Sequence, residues 1–181
     1  MPENKEPRFF CDYPVASFEF GTKQFHPSIV TSPDEYLGLF CDAPPGAILG
    51  EASTDYLSCQ GVAERLHAWN PEAKIIVMLR DPIARAYSEY QHSIAANFQT
   101  LSFAESLREE KRRFAEGYDP IFAHVRRSLY ADGVEDFQQK FGQHNVKVIL
   151  FEKFESATQA VVQSVFEFLA LSPMKVDVSE I

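Results

Sequence analysis

The stretch that leaves this chain least freedom is Lys74 to Asn97, KIIVMLRDPIARAYSEYQHSIAAN. Ile75 to Leu79 is an unbroken apolar run with β-branched residues, too short for an ordinary helix. Such a run reads as a parallel strand covered on both faces. Arg80-Asp81-Pro82 ends it, because proline fixes φ, lacks an N–H and suits the first turn of a helix. From Ile83 on, Ala84, Tyr87, Gln91 and Ala95 recur at helical spacing. A strand, a sharp turn and a helix place Arg80 at the carboxyl end of a strand, where open α/β sheets bind ligands. Ser88 and His92 lie four apart on one face of that helix, beside the same mouth.

Arg80 admits two readings. In one it pairs with Asp81 or Asp55 as a structural salt bridge, and Ser88 is a small packing residue. In the other an arginine, a hydroxyl and a helix N-terminus face one cleft and form an anion site. The order of residues favours the second. LRDPIARAYSEYQH resembles the 3'-phosphate-binding segment of sulfotransferases that use 3'-phosphoadenosine 5'-phosphosulfate. The AYSEYQH portion is most similar to the heparan sulfate N-deacetylase/N-sulfotransferase and bacterial sulfotransferase branch. The resemblance implies that Arg80 and Ser88 hold the ribose 3'-phosphate of the donor. It also sets His92 beside acceptor or leaving group, against the plainer reading of a structural histidine on a half-buried helix.

The resemblance extends in both directions. Near the start, KEPRFF is similar to a KEPHFF-like stretch of the same family, whose glutamate is the proposed general base. Glu6 occupies that position. A carboxylate can take the acceptor's proton if the cleft brings it within hydrogen-bond reach. Without the resemblance, Lys5 and Glu6 are solvated charges near a terminus. GEASTDYL resembles the family's GE-x-S-P-x-Y-L segment, which lines the active cleft. Related heparan sulfotransferases carry a lysine directly after that glutamate, and here it is Ala52, which argues against a heparan-like acceptor. SLYADGVEDFQQKF matches the helix before the family's last strand, and FEKFESATQAVVQSVFEFLAL resembles a stretch usually ending in FLGL. Arg126 and Arg127 read as exposed charges, with a sulfate- or phosphate-holding role ranked second.

Length and charge narrow the rest. A chain of 181 residues with 45% hydrophobic and 24% charged content reads as one ordinary globular domain, residues 1–181. Its 26 acidic and 17 basic residues give a net charge of −9, which argues against general affinity for nucleic acid or anionic membrane. No run approaches the ~18 to 20 apolar residues of a membrane span. Three cysteines, Cys11, Cys41 and Cys59, form no metal-ligand pattern. They suggest buried reduced thiols in a cytoplasmic protein, with one intramolecular pairing left open.

The remaining elements follow from pattern. Strands are expected over Arg8 to Cys11, Ala47 to Glu51 and Asn145 to Phe151. Helices are expected over Asp34 to Phe40 behind a Ser32 cap and Pro33, Gly61 to Trp69, Thr100 to Gly117, within Ile121 to Phe141, and Ala157 to Leu171. Leu101, Phe103, Leu107 and Phe114 are expected to face inward, and residues 12 to 34 to form a long surface excursion. One segment of the family pattern has no counterpart. No phosphate loop like PKSGTTSL and no GxxxxGK[ST] occurs in the chain.

The resemblance thus implies an α/β fold, a three-layer P-loop-type parallel sheet flanked by helices, lacking the first, phosphate-loop strand and truncated at both ends relative to the family. At least three parallel strands are expected, centred near Phe9, Leu49, Val77 and Val148. The implied activity is sulfuryl transfer from 3'-phosphoadenosine 5'-phosphosulfate, without a metal, to a hydroxyl or amine on a small molecule or glycan. The alternatives are a non-catalytic nucleotide-binding or scaffolding remnant and, more weakly, a P-loop kinase relative. The oligomeric state is left open.

Overall fold

The computed structural model describes residues 2–12 and 29–175. Most of the expected excursion over residues 12–34 lies outside them. The helices begin where the sequence supplies caps. In α1, Pro33–Gly38, the Ser32 hydroxyl accepts the Glu35 N–H and proline takes the first turn. In α3, Pro82–Ala95, the Asp81 carboxylate accepts the Ala84 N–H at 2.8 Å. In α4, Phe103–Ala115, Ser102 and Glu105 form a reciprocal capping box. α2 is Val62–Trp69 and α5 is Ala131–Phe141. The last helical stretch is broken at Ala157 into α6, Phe151–Ser156, and α7, Thr158–Phe168.

β1, Ile75–Leu79, and β2, Val146–Leu150, pair in parallel, Ile75 opposite Val146 and Leu79 opposite Leu150. The α/β class is as the sequence implied, with a parallel sheet and helices packed around it. The sheet is narrower than expected, with two strands among the described residues. Its coverage is also thinner. Val77, Val146 and Ile149 are buried, while Ile76, Met78, Val148 and Leu150 stay exposed, so neither strand is enclosed on both faces.

Two expected strands are absent, each for a physical reason. At Phe9 the backbone turns. Arg8 has φ +52°, and the Cys11 N–H closes back on the Arg8 carbonyl at 2.9 Å. Phe9 and Phe10 consequently pack on the same side, both against Tyr36 (ring centroids 4.5 and 5.4 Å) and Trp69 (5.3 and 6.0 Å). Successive strand residues would point to opposite faces. Around Leu49 the chain has no strand beside it among the described residues, and a strand exists only by pairing. Ile48 and Leu49 are 57% and 54% exposed, and among the described residues the backbone ties fall at the ends of the segment, Ala47 to Pro44 and Ala52 to Lys5.

The core gathers Phe10, Tyr36, Val62, Ala63, Val77, Phe137, Phe141 and Val146. Burial, with the Glu51 carboxylate close by, pushes the Tyr36 hydroxyl up to about 12. α5 reaches this core by a close approach at Gly133, where a Cβ would lie 2.1 Å from the Leu57 carbonyl oxygen. Leu101, Phe103 and Leu107 are half-buried as expected, with Phe103 packed on Tyr87 and Tyr90, but α4 departs from the expected face at Phe114. It buries Ser106 and Glu110, while Phe114 is 52% exposed beneath the Arg126 guanidinium, 4.2 Å from its ring centre. Glu110 is not idle there, since its carboxylate accepts the Val125 and Arg126 N–H groups at 2.9 and 2.8 Å. That cap fixes the 3₁₀ turn Arg126–Ser128, which packs on α3 and aims Arg127.

Candidate active site

Four separate segments converge on one cleft of about 220 Å³, lined by Glu6, Arg8, Thr54, Asp55, Glu89, His92, Asp119, Arg127 and their neighbours. The first segment brings Glu6 and Arg8. The second is the 3₁₀ turn Thr54–Leu57. The third is the middle of α3, and the fourth runs from Asp119 to Ser128. Glu6 and His92, singled out from two separate segments of the resemblance, line the same cleft.

A chain of alternating charges forms the floor. Arg8 Nε lies 2.6 Å from Asp55 Oδ2, and Arg127 pairs with the other Asp55 oxygen. Arg127 Nη1 also reaches Glu89 Oε1 at 2.8 Å. Glu89 Oε2 in turn accepts from Arg85 Nη2 at 2.9 Å and from His124 Nδ1 at 3.2 Å. Arg85 is locked by Ser128 Oγ and the His124 carbonyl, both at 2.7 Å. Burial works against ionisation of Glu89, yet the His124 hydrogen bond, Arg127 and Arg85 hold its carboxyl below the usual carboxylate range.

Glu6 is tethered at the edge of this chain. Its Oε2 sits 3.3 Å from Arg8 Nη2 and accepts from Thr54 Oγ1 at 3.1 Å. Both contacts fall on one oxygen, Oε2. A carboxylate so held keeps a fixed aim while remaining a quarter exposed, at 25% of its side-chain surface.

Arg80 and Ser88 sit elsewhere. Arg80 follows β1 and lays its guanidinium over the Phe151 ring, 5.2 Å from the centroid. It pairs with neither Asp81 nor Asp55; Asp55 belongs to Arg8 and Arg127. Ser88 is exposed in the middle of α3. Neither lines the Glu6–His92 cleft. The helix N-terminus expected to complete an anion site is already occupied. Glu152 Oε1 accepts the Asp81 N–H at 2.7 Å, and Asp81 itself takes the Ala84 N–H. An incoming anion at that end would compete with two carboxylates of the chain.

With this geometry in place, likeness to known proteins is informative. Residues 62–181 match the family model described as a sulfotransferase domain. The chain belongs to that family. This sulfotransferase domain superposes on a crystal structure of a sulfotransferase from Alicyclobacillus acidocaldarius with a TM-score of 0.88 and 35% identity, covering 98% of this chain and 75% of that one. Carbohydrate sulfotransferase 15 of Mus musculus is 28% identical over 124 residues, 60% of this chain and 22% of the relative. Heparan sulfate glucosamine 3-O-sulfotransferase 6 of Mus musculus is 26% identical over 147 residues, 78% of this chain and 41% of the relative. The domain thus spans well under half the length of those two relatives.

Within the domain, sequence reasoning missed much of the cleft. Arg127, read as an exposed charge, is half-buried and paired at both ends of its guanidinium. Asp55, Glu89 and Asp119 line the cleft without having been singled out for it. The one available signal for Asp55 was its place in GEASTDYL, a segment already flagged as cleft-lining. Among the described residues no helix is long and apolar enough to cross a membrane.

Proposed function

We propose that this sulfotransferase domain serves in-line transfer of a sulfuryl group from 3'-phosphoadenosine 5'-phosphosulfate to a hydroxyl or amine bound in the Glu6–His92 cleft. The acceptor oxygen or nitrogen attacks sulfur, and the bond from sulfur to the bridging phosphate oxygen breaks. Glu6 takes the acceptor proton, and adenosine 3',5'-bisphosphate leaves. His92 contacts acceptor or leaving group from α3. Arg80, with Ser88, holds the 3'-phosphate at the far end of the nucleotide. The observation that carries this reading is the convergence of Glu6 and His92, from distant parts of the chain, on one cleft.

The acceptor class follows from charge. The cleft sets Glu6, Asp55, Glu89 and Asp119 against Arg8 and Arg127, and Ala52 supplies no cation beside it. A neutral or amine-bearing acceptor, a sugar included, suits such a lining better than a polyanionic glycan. A location in the cytoplasm rests on the cysteine usage alone.

A second reading, a nucleotide-binding domain without turnover, is favoured by one observation: no Gly-rich phosphate loop occurs in the 181 residues. Preorganised donors around the transferring group are usually the largest catalytic contribution. A chain of these residues alone is therefore expected to transfer sulfate poorly. The test is a radiolabelled-sulfate assay on this chain and on the same chain extended upstream through any encoded phosphate loop. Turnover restored by the extension supports the enzyme; nucleotide binding without turnover in both supports the second reading.

A further inference from the structure

The two segments that frame the cleft carry a second juxtaposition, unconnected with sulfate chemistry. Cys11 Sγ and Cys59 Sγ lie 2.9 Å apart, though 48 residues separate them in the chain. Cys11 closes the turn that begins at Arg8, and Cys59 follows the Thr54–Leu57 turn, its N–H bonded to the Asp55 carbonyl at 3.1 Å. Both are half-buried against the core, whereas Cys41 is exposed. The segments are already registered by Arg8 N–H to Ser53 Oγ at 2.9 Å, by Arg8 to Asp55, and by Thr54 to Glu6. The sulfur atoms therefore need no rearrangement of the chain to meet.

We propose that Cys11 and Cys59 are an oxidisable dithiol that closes to an intramolecular disulfide and locks the Glu6 segment onto the Asp55 turn. With hydrogen peroxide as oxidant, one thiol gives up its proton and the thiolate attacks a peroxide oxygen; the O–O bond breaks, leaving a sulfenic acid and hydroxide, which takes up that proton to become water. The neighbouring thiol then attacks that sulfur, forming the S–S bond and releasing a second water. In balance, two thiols and one peroxide become one disulfide and two waters. Glutathione disulfide reaches the same state by exchange, and excess thiol reverses it. Because the half-buried pair sits at contact distance, ring closure outruns further oxidation of the sulfenic acid. The bridge closes a loop containing α1, and cross-links over loops of that length restrict the unfolded chain strongly.

The proposal is tested on the full chain, treated with a modest excess of hydrogen peroxide and analysed with and without reduction. Titratable thiols in denaturant should fall from three to one, with a loss of two hydrogens in intact mass and a peptide linking Cys11 to Cys59. Cys59→Ser should abolish the linked peptide, and Cys41→Ser should leave it. The melting temperature of the oxidised parent should rise by about 5 to 10 °C and return on reduction. Three persisting thiols, a bridge through Cys41, or sulfinic acid at Cys11 or Cys59 in place of the bridge would overturn the proposal. A bridge that leaves the melting temperature unchanged would overturn the locking. None of these outcomes depends on sulfate transfer.

Discussion

The Glu6–His92 cleft and the β1–α3 junction handle their charges in opposite ways. In the cleft nearly every charge is consumed inside the protein: Arg8, Asp55, Arg127, Glu89 and Arg85 form one alternating chain. At the junction Arg80 is exposed, and its guanidinium rests on a phenyl ring rather than on a carboxylate. The first region is built from four distant segments and cannot give up a member without stranding a partner. The second centres on the β1–α3 turn, against Phe151 and Glu152, and can lose its arginine at little structural cost. An internally neutralised cleft orients groups, whereas the exposed Arg80 guanidinium is the group proposed to meet an incoming phosphate.

The largest expected effect separates chemistry from binding. In a chain extended through an encoded phosphate loop, Glu6→Gln should reduce sulfate transfer by about 10² to 10⁴-fold. Its affinity for adenosine 3',5'-bisphosphate should stay the same. A loss of affinity with turnover intact would reverse the roles of the two regions.

Next comes stability. Arg127→Ala leaves the buried carboxylates of Asp55 and Glu89 each short of a partner. Removing one member of a buried pair costs roughly 3 to 5 kcal/mol, and the remaining contacts from Arg8 and Arg85 should keep the loss at about 2 to 3 kcal/mol. Arg80→Ala, at an exposed position, should stay within about 0.5 kcal/mol of the parent. Urea titration of both variants checks the contrast, and equal losses would remove it.

How much of this was legible depends on how local the determining contacts are. The β1–α3 unit with its turn at Pro82, and the Ser32 cap before Pro33, were readable because apolar runs, prolines and capping residues act within a few positions; the Asp81 cap and the Ser102–Glu105 box emerged only with the fold. Arg8 to Cys11 misled, because an apolar pattern does not register a positive φ at Arg8 or an aromatic cluster that draws Phe9 and Phe10 to one side. Residues 47–51 misled because a strand needs a neighbour, and pairing is a property of the whole sheet. Asp55 and Arg127, far apart in the chain, meet only in the fold. Cys41 proved exposed for the same reason, its neighbours being set by tertiary packing.

A smaller effect tests how the cleft's second segment is placed. Gly133→Ala would set a methyl group into the Leu57 carbonyl, a backbone atom that can move only with the Thr54–Leu57 turn. The strain should cost about 1 to 3 kcal/mol by thermal or urea unfolding. A neutral result would mean that the turn is not held against α5.

The smallest is the response to acid. The Glu89 carboxyl is depressed in the folded protein, so it adds stability above its unfolded value, about 4.3. That contribution disappears as pH falls through the lower folded value. Unfolding free energy should therefore drop more steeply below pH about 4 in the parent than in Glu89→Gln. Parallel profiles would exclude Glu89 as the source.

The most direct measurement of the division between the two regions is calorimetric titration of adenosine 3',5'-bisphosphate into the parent, Arg80→Ala and Glu6→Gln. Arg80→Ala should bind more weakly by about 2 to 3 kcal/mol, roughly 30- to 150-fold, from loss of a charge-assisted contact to phosphate. Glu6→Gln should bind as the parent does. Unchanged affinity in Arg80→Ala, or its collapse in Glu6→Gln, would contradict the account.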